Sequence, residues 1–169
     1  MNSSKSILLS VAAIALAIVG AALYLQHIQG LQPCPLCVLQ RYAFVAIALI
    51  CLVCAGMPSG VRKAGAGFGI VAALSGAATA GWHLWVIANP STDCGRDALE
   101  APMNALPMAK LLPSVFQVDA FALCSTPYNP ILGLSIPQWS LVWFVVIIVI
   151  LLMSLFKRDH TSKYPNDFK

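Results

Sequence analysis

The residues best suited to chemistry are two cysteines in the motif Cys34-Pro35-Leu36-Cys37. A C-x-x-C spacing lets two thiols close a small ring, and a cysteine near a helix N-terminus can become a reactive thiolate. Pro33 and Pro35 suit a helix that begins at this motif. The motif therefore predicts a redox-active dithiol, with a purely structural disulfide as the simpler alternative.

Arg41 strengthens the redox interpretation. It follows Cys37 by four residues, which places both side chains on one face of a helix. A permanently charged guanidinium there would favour a thiolate at Cys37. A charge within an apolar run is also costly and usually marks a functional site. The alternative is an arginine that reaches up to lipid phosphates.

Cys94 and Cys124 form a second candidate pair, thirty residues apart. A disulfide closing that loop would contribute roughly 3–4 kcal/mol in the chain-entropy model, which fits a structural staple. A staple does not explain why a second pair accompanies the first. Two dithiol pairs on the same side of a membrane instead suggest a relay by thiol–disulfide exchange.

Cys51 and Cys54 form another C-x-x-C, which we interpret as structural. Cys54 lies seventeen residues beyond Cys37, or roughly 25 Å along a helix, too far for a disulfide. Apolar surroundings also make thiols inert. We expect no metal site at the other four cysteines either, because Cys₄ zinc sites usually join two closely spaced motifs and only one pair is closely spaced here.

A thiol relay within a membrane needs a lipid-soluble electron acceptor, and a quinone is the expected cofactor. His83 lies near the end of the third apolar run, at about the depth of Cys37. It could hydrogen-bond or protonate a quinone oxygen, and Arg41 could stabilise negative charge on the reduced ring. Alternatively, His83 is an interfacial histidine beside the aromatic pair Trp82 and Trp85.

The composition shows what must position these residues. Of the 169 residues, 59% are hydrophobic and only 9% are charged, and the mean hydropathy is +0.81. So few charges cannot cover a water-soluble globule, which excludes a soluble enzyme and a disordered chain. The net charge is +4, but the basic residues are scattered and form no nucleic-acid footprint.

Four apolar runs predict an all-α membrane protein, a four-transmembrane-helix bundle forming one integral membrane domain over residues 1–169. A helix needs roughly 20 apolar residues to cross a bilayer. The first run is longer than the apolar core of a cleavable signal, so we expect it to remain as a span. The expected spans are 7–25, 36–57, 64–88 and 139–156. The loops 26–35 and 89–138 and the polar tail 157–169 complete the chain.

Lysine and arginine predict the orientation of the bundle. Two of them, Arg96 and Lys110, lie on one side, and seven lie on the other: Lys5, Arg62, Lys63, Lys157, Arg158, Lys163 and Lys169. This places both termini in the cytoplasm. The loops that carry Cys34, Cys94 and Cys124 then face an oxidising outer compartment, where disulfides persist.

The long outer loop, 89–138, holds seven of the eleven prolines, so we expect it to be largely irregular. Residues 110–118 are rich in apolar side chains. That stretch either lies flat on the membrane surface or folds over the bundle.

These residues together resemble the disulfide bond formation protein B family. The resemblance covers roughly residues 7–156. It rests on the octapeptide Cys34-Pro35-Leu36-Cys37-Val38-Leu39-Gln40-Arg41, on Gln26-His27 before it, on His83, on Cys94 and Cys124, and on Ile136-Pro137-Gln138-Trp139.

The resemblance implies an enzyme, a quinone-coupled protein dithiol oxidase of the bacterial inner membrane, with bound ubiquinone or menaquinone. The implied partner is disulfide bond formation protein A, a periplasmic dithiol oxidase of thioredoxin fold. Cys94 would form the mixed disulfide with that partner, and Cys124 would be its partner in a loop disulfide. Cys34 would exchange with the loop pair and form the second disulfide with Cys37. Cys37 would face the quinone, with Arg41 and His83 supporting it.

Three other interpretations are open at this point. A protein like vitamin K epoxide reductase also has four helices and two cysteine pairs, but its membrane C-x-x-C follows the loop cysteines, whereas here it precedes them. A non-enzymatic four-span scaffold with a disulfide-stapled loop, like claudins, predicts no role for Arg41. A dedicated paralogue serving one specialised partner is indistinguishable from the main interpretation by sequence.

Overall fold

The computed structural model describes residues 3–30, 32–92, 96–118, 124 and 132–156. Cys94 and the tail 157–169 lie outside the described residues. Within this part the chain is all-α, as predicted. Its helices are α1 (Ser3–Gln29), α2 (Pro35–Ala55), α3 (Ser59–Ala88), α4 (Arg96–Ala105), α5 (Pro107–Leu111), α6 (Pro113–Phe116) and α7 (Ile136–Phe156).

Four of these helices are long and apolar enough to cross a membrane, which confirms the predicted four-span bundle. They are α1, α2, α3 and α7. Three of them extend past the predicted spans by several residues; α3, for example, begins at Ser59 and not at 64. Apolar runs stop at the first charge, whereas helical hydrogen bonding continues through Arg62 and Lys63 into the polar boundary. The chain is a multi-pass membrane protein.

The bundle core contains buried residues of all four long helices, α1, α2, α3 and α7. Phe44 of α2 stacks on Phe144 of α7, with ring centroids 4.1 Å apart. Gly76 of α3 lies directly beneath this pair, since a Cβ there would overlap the Phe144 ring. Small residues allow helix backbones to approach closely in membranes, where lipid gives little hydrophobic drive for association. The glycine therefore sets the separation of α3 and α7.

The described part of the outer loop differs from the largely irregular segment that we expected. It contains α4, α5 and α6. Pro107 and Pro113 each occupy the first turn of a helix. At that position the missing N–H costs nothing and the fixed φ suits a helix. Two of the prolines that suggested breakage instead begin short helices, and Pro102 lies inside α4.

The second half of the segment 110–118 folds over the bundle. Phe116 is buried and stacks on Tyr42 of α2, with centroids 4.3 Å apart. The Asn104 side chain holds the backbone of Val118 through two hydrogen bonds, at 3.2 and 2.9 Å. Leu111, in contrast, is 75% exposed. The segment thus covers the α2 end that carries Cys34, which we call the outer end of the bundle.

Candidate redox site

The C-x-x-C motif forms the N-terminus of α2, as predicted. Cys34 is the N-cap, and its sulfur accepts a hydrogen bond from the backbone N–H of Cys37 at 3.4 Å. Pro35 occupies the first helical turn. The cap residue and the proline together fix where the helix begins, so both thiols lie at the positive end of the helix dipole.

The two thiols of the motif are within hydrogen-bonding distance. Both are free, and the Cys34 thiol donates to the Cys37 sulfur at 3.0 Å. This hydrogen bond and burial raise the pKa of Cys34 above its usual range. Cys34 therefore retains its proton while Cys37 accepts, so the two cysteines differ chemically although the motif is symmetric.

Arg41 is buried between three elements, only 7% exposed. Its guanidinium donates to Oε1 of Gln26 on α1 at 2.7 Å and to the carbonyl oxygen of Val115 on α6 at 3.1 Å. This position argues against an arginine that reaches out to lipid phosphates. Both described acceptors are neutral, so the positive charge remains available to an anion nearby.

A largely apolar cavity, partly open to the outside, lies between α1, α2 and the start of α7. Cys37 and Arg41 both line it, together with Gln26 and Gln40. Its apolar wall is formed by Ile18, Val19, Ala22, Leu25, Pro33, Phe44, Ile136 and Pro137. An apolar pocket with a few convergent polar groups is typical of a cofactor site.

His83 lies at the dithiol and is not among the residues that line this cavity. Its Nε2 is 3.8 Å from the Cys34 sulfur and 3.2 Å from the carbonyl oxygen of Cys124. Its Nδ1 is 3.3 Å from Nε2 of Gln40. The ring is buried at 3% exposure, not interfacial. The sequence indicated its depth but not its face, and its quinone-supporting role stays a prediction.

Cys124 brings the outer loop to the membrane dithiol. It is buried in one cluster with Cys34, Leu36 and Val86, and it is disulfide-bonded. Because Cys94 lies outside the described residues, the Cys94–Cys124 pairing stays a prediction. The contact places the loop cysteine beside Cys34, the cysteine expected to exchange with it.

Three potential metal ligands also converge here. The ligand atoms of Cys34, Cys37 and His83 all lie within 4.8 Å of one another. Two thiolates and an imidazole would suit a soft ion such as Zn²⁺ or Cu⁺. The same thiols are the ones that a disulfide would consume, so ion and disulfide exclude each other. The expected absence of a metal is not tested by this geometry.

The second C-x-x-C lies at the opposite end of α2. Cys51 is fully buried in the main core, and Cys54 packs so closely on α3 that a Cβ at Gly65 would overlap it. Both thiols are free. Their surroundings agree with a structural role.

Gln26 and Gln40 are site residues that sequence reasoning did not single out. Gln26 binds Arg41, and Gln40 binds His83. In the sequence, each residue stood out only as part of a motif that carries the family resemblance. For Gln40 the available signal was an amide in an otherwise apolar segment, where an unsatisfied polar group is costly; Gln26 lies beyond the first apolar run and carried no such signal.

Fold and site together define a four-span membrane protein with a partly buried dithiol at its outer end. The comparisons with known proteins then give the family. The family model described as disulfide bond formation protein DsbB matches residues 4–154. A protein named disulfide bond formation protein B from Herminiimonas arsenicoxydans is 51% identical over 158 residues, covering 94% of this chain and 99% of that protein.

A protein of the same name from Ralstonia nicotianae is 46% identical over 157 residues, covering 93% of this chain and 97% of that protein. The chain belongs to the disulfide bond formation protein B family, and its resemblance to that family is confirmed. Membership supports a role as a disulfide-forming oxidoreductase.

Proposed function

We propose that this protein is a quinone-dependent protein dithiol oxidase of the bacterial inner membrane. It reoxidises a periplasmic thioredoxin-fold disulfide donor, disulfide bond formation protein A, and passes the electrons through two cysteine pairs to membrane quinone. One observation carries the proposal. The dithiol adjoins both the loop cysteine and the cavity: Cys34 is buried in one cluster with Cys124, and Cys37, which packs against that cluster, also lines an apolar cavity with Arg41.

The cavity fits a quinone in its chemistry. Its apolar walls suit a ring with an isoprenoid tail, and Arg41, Gln26 and Gln40 supply polar groups at one end. Ubiquinone or menaquinone, when bound, supplies an acceptor for two electrons and two protons. The guanidinium would hold a quinone oxygen and stabilise negative charge there. Cys37 lies on the same wall.

The chain's own cysteines provide the relay. Exchange with the reduced partner at Cys94 leaves Cys124 as a thiolate. The Cys124 sulfur attacks the Cys34 sulfur of the Cys34–Cys37 disulfide. A Cys34–Cys124 bond forms, the Cys34–Cys37 bond breaks, and its electron pair goes to Cys37. The new thiolate lies on the cavity wall beside the positive charge of Arg41.

The orientation follows from charge. With both termini cytoplasmic, the two cysteine pairs face the periplasm, where the partner is located.

The experiment mixes purified protein, reduced thioredoxin-fold partner and soluble quinone, and follows quinone absorbance. We expect protein-dependent loss of quinone, abolished in Cys37→Ala. If quinone absorbance fell equally fast without the protein, or did not fall in its presence, the proposal would be rejected in favour of a non-enzymatic scaffold. Comparing a general partner with other thioredoxin-fold proteins distinguishes a general oxidase from a dedicated paralogue.

The partner-facing cysteine is tested by trapping. A partner lacking its second active-site cysteine should form a mixed disulfide with Cys124→Ala but not with Cys94→Ala. The reverse pattern would exchange the roles of the two loop cysteines.

A further inference from the structure

We propose that Gln40 and His83 form a positioning pair that holds Cys124 against Cys34 for disulfide exchange. Gln40 fixes the tautomer of the His83 ring, and the ring holds Cys124 by its backbone carbonyl. This inference rests on the proposed relay between the two cysteine pairs, and it assigns a role to an amide and an imidazole that line different sides of the site.

The acceptor at Cys124 sets the direction of these hydrogen bonds. A carbonyl oxygen only accepts, so the contact of 3.2 Å to the Cys124 oxygen requires a proton on Nε2 of His83. In a neutral ring Nδ1 then carries only a lone pair. Gln40, 3.3 Å from Nδ1, must therefore present its NH₂ group. One chain of donors runs from Gln40 through His83 to Cys124.

Both ring nitrogens are paired in this arrangement. His83 is 3% exposed, and the described hydrogen bonds of its ring reach an amide, a carbonyl and a thiol. A buried polar group is costly unless it is hydrogen-bonded, so the contacts with Gln40 and Cys124 hold the ring in place.

One nitrogen of the ring lies close to both cysteines that must react. The same Nε2 is 3.2 Å from the Cys124 carbonyl and 3.8 Å from the Cys34 sulfur. Both cysteines are buried against Leu36 and Val86. Anchoring the backbone of the loop cysteine limits its movement relative to Cys34, and such limitation raises the effective concentration of one sulfur at the other.

This tautomer also excludes another role. Because Nε2 already bears a proton, it cannot accept the proton of the Cys34 thiol. His83 is thus a positioning residue for exchange, and its N–H is directed towards the carbonyl of Cys124 with the Cys34 sulfur next nearest.

The first test measures the effective concentration of Cys34 and Cys124 in the full-length protein. Changing Cys37 and Cys94 to Ser, and Cys51 and Cys54 to Ala, leaves this single pair. Its disulfide is then equilibrated in glutathione buffers without quinone or partner, so a failed quinone assay does not affect the outcome. Gln40→Leu and His83→Leu should each lower the effective concentration about fivefold or more, as expected for a lost hydrogen bond.

Two conservative variants should retain the effective concentration of Cys34 and Cys124. In His83→Gln the amide nitrogen replaces Nε2 as donor to Cys124, so the value should stay within about twofold of the parent. In Gln40→Glu the carboxylate accepts from Nδ1 while Nε2 still donates, so positioning should also persist. Leu39→Ala, next to Gln40 but exposed, is the matched control and should change nothing.

The second test reads the tautomer by ¹⁵N shifts of labelled histidine, with the His83 signal identified by its loss in His83→Gln. The parent should carry its proton on Nε2, Gln40→Leu should show a tautomer mixture, and Gln40→Glu should show both nitrogens protonated. Unchanged effective concentration in both Leu variants would overturn the proposal. A lower value in Gln40→Leu with an unchanged tautomer would also overturn it, since Gln40 would then act by packing alone.

Discussion

Arg41 is the residue that connects most of the site. One guanidinium nitrogen contacts α1 through Gln26 and α6 through the Val115 carbonyl. Since both described acceptors are neutral, a buried positive charge is left for whatever anion forms next to it. Electrostatic interactions are stronger in a desolvated site than in water. The arginine therefore combines a structural connection with a site for negative charge.

We expect Arg41→Ala to raise the quinone KM about tenfold or more, the size of a lost charge-assisted hydrogen bond. Arg41→Lys keeps the charge but loses the planar guanidinium, so its KM should rise less. Steady-state quinone titrations measure both. Arg62→Lys is the matched control, because Arg62 is also buried and bound to a carbonyl, that of Met57 at 2.8 Å, at the other end of the bundle. Equal quinone KM values in the parent and in the three variants would show that Arg41 has only a structural role.

Cys51 and Cys54 should be dispensable for turnover. At helical rise they lie about 21 Å (Cys51) and about 25 Å (Cys54) from Cys37 along α2, beyond disulfide reach, and Cys51 is enclosed in the core. The Cys51→Ala, Cys54→Ala double variant should keep quinone-coupled turnover within about twofold, while Cys34→Ala loses it. Loss of turnover in the double variant, with folding and quinone binding intact, would assign these cysteines to the relay.

At the scale of elements, the contact of α3 with α7 depends on a missing side chain. Gly76 faces the Phe144 ring, which in turn stacks on Phe44 of α2. Phe44 also lines the cavity. The glycine thus supports, through two aromatic rings, one wall of the expected cofactor site.

Gly76→Ala should destabilise the protein by about 1–3 kcal/mol, since the added methyl group has no room without movement of a ring. Gly81→Ala is the control on the same helix, because nothing lies within 4 Å of a Cβ there. Thermal unfolding in detergent should show a lower Tm for the first variant only. A Tm at the parent value in Gly76→Ala would show that α7 shifts freely and that the aromatic contact does not fix its position.

At the scale of the whole molecule, the asymmetry of positive charge predicts the orientation. Leu111 is exposed at the end of α5, in the outer loop. Gly60 is exposed at the start of α3, close to Arg62 in the sequence. In an otherwise cysteine-free chain, Leu111→Cys should react with a membrane-impermeant maleimide in intact cells. Gly60→Cys should react only after permeabilisation. The opposite labelling pattern would invert the bundle and place both cysteine pairs in a reducing compartment.

The sequence alone determined what depends on composition and on spacing along one helix. Four apolar runs predicted four spans, because a bilayer requires every crossing segment to satisfy its backbone internally. Cys37 and Arg41 were predicted to share a face, since four residues make about one turn, and both line the cavity. Pro107 and Pro113 misled, since a proline is unfavourable in the interior of a helix but suits its first turn.

The tertiary structure decided which helix faces meet. Hydropathy gives the depth of His83 but not its direction around α3, and only the packing of α3 on α2 directs it to Gln40 and Cys34 rather than to the cavity. The acceptors of Arg41 come from residues 15 and 74 positions away in the chain. In an almost uniformly apolar helix no periodicity marks the inward face, so these contacts are fixed by shape, as where Gly76 receives Phe144.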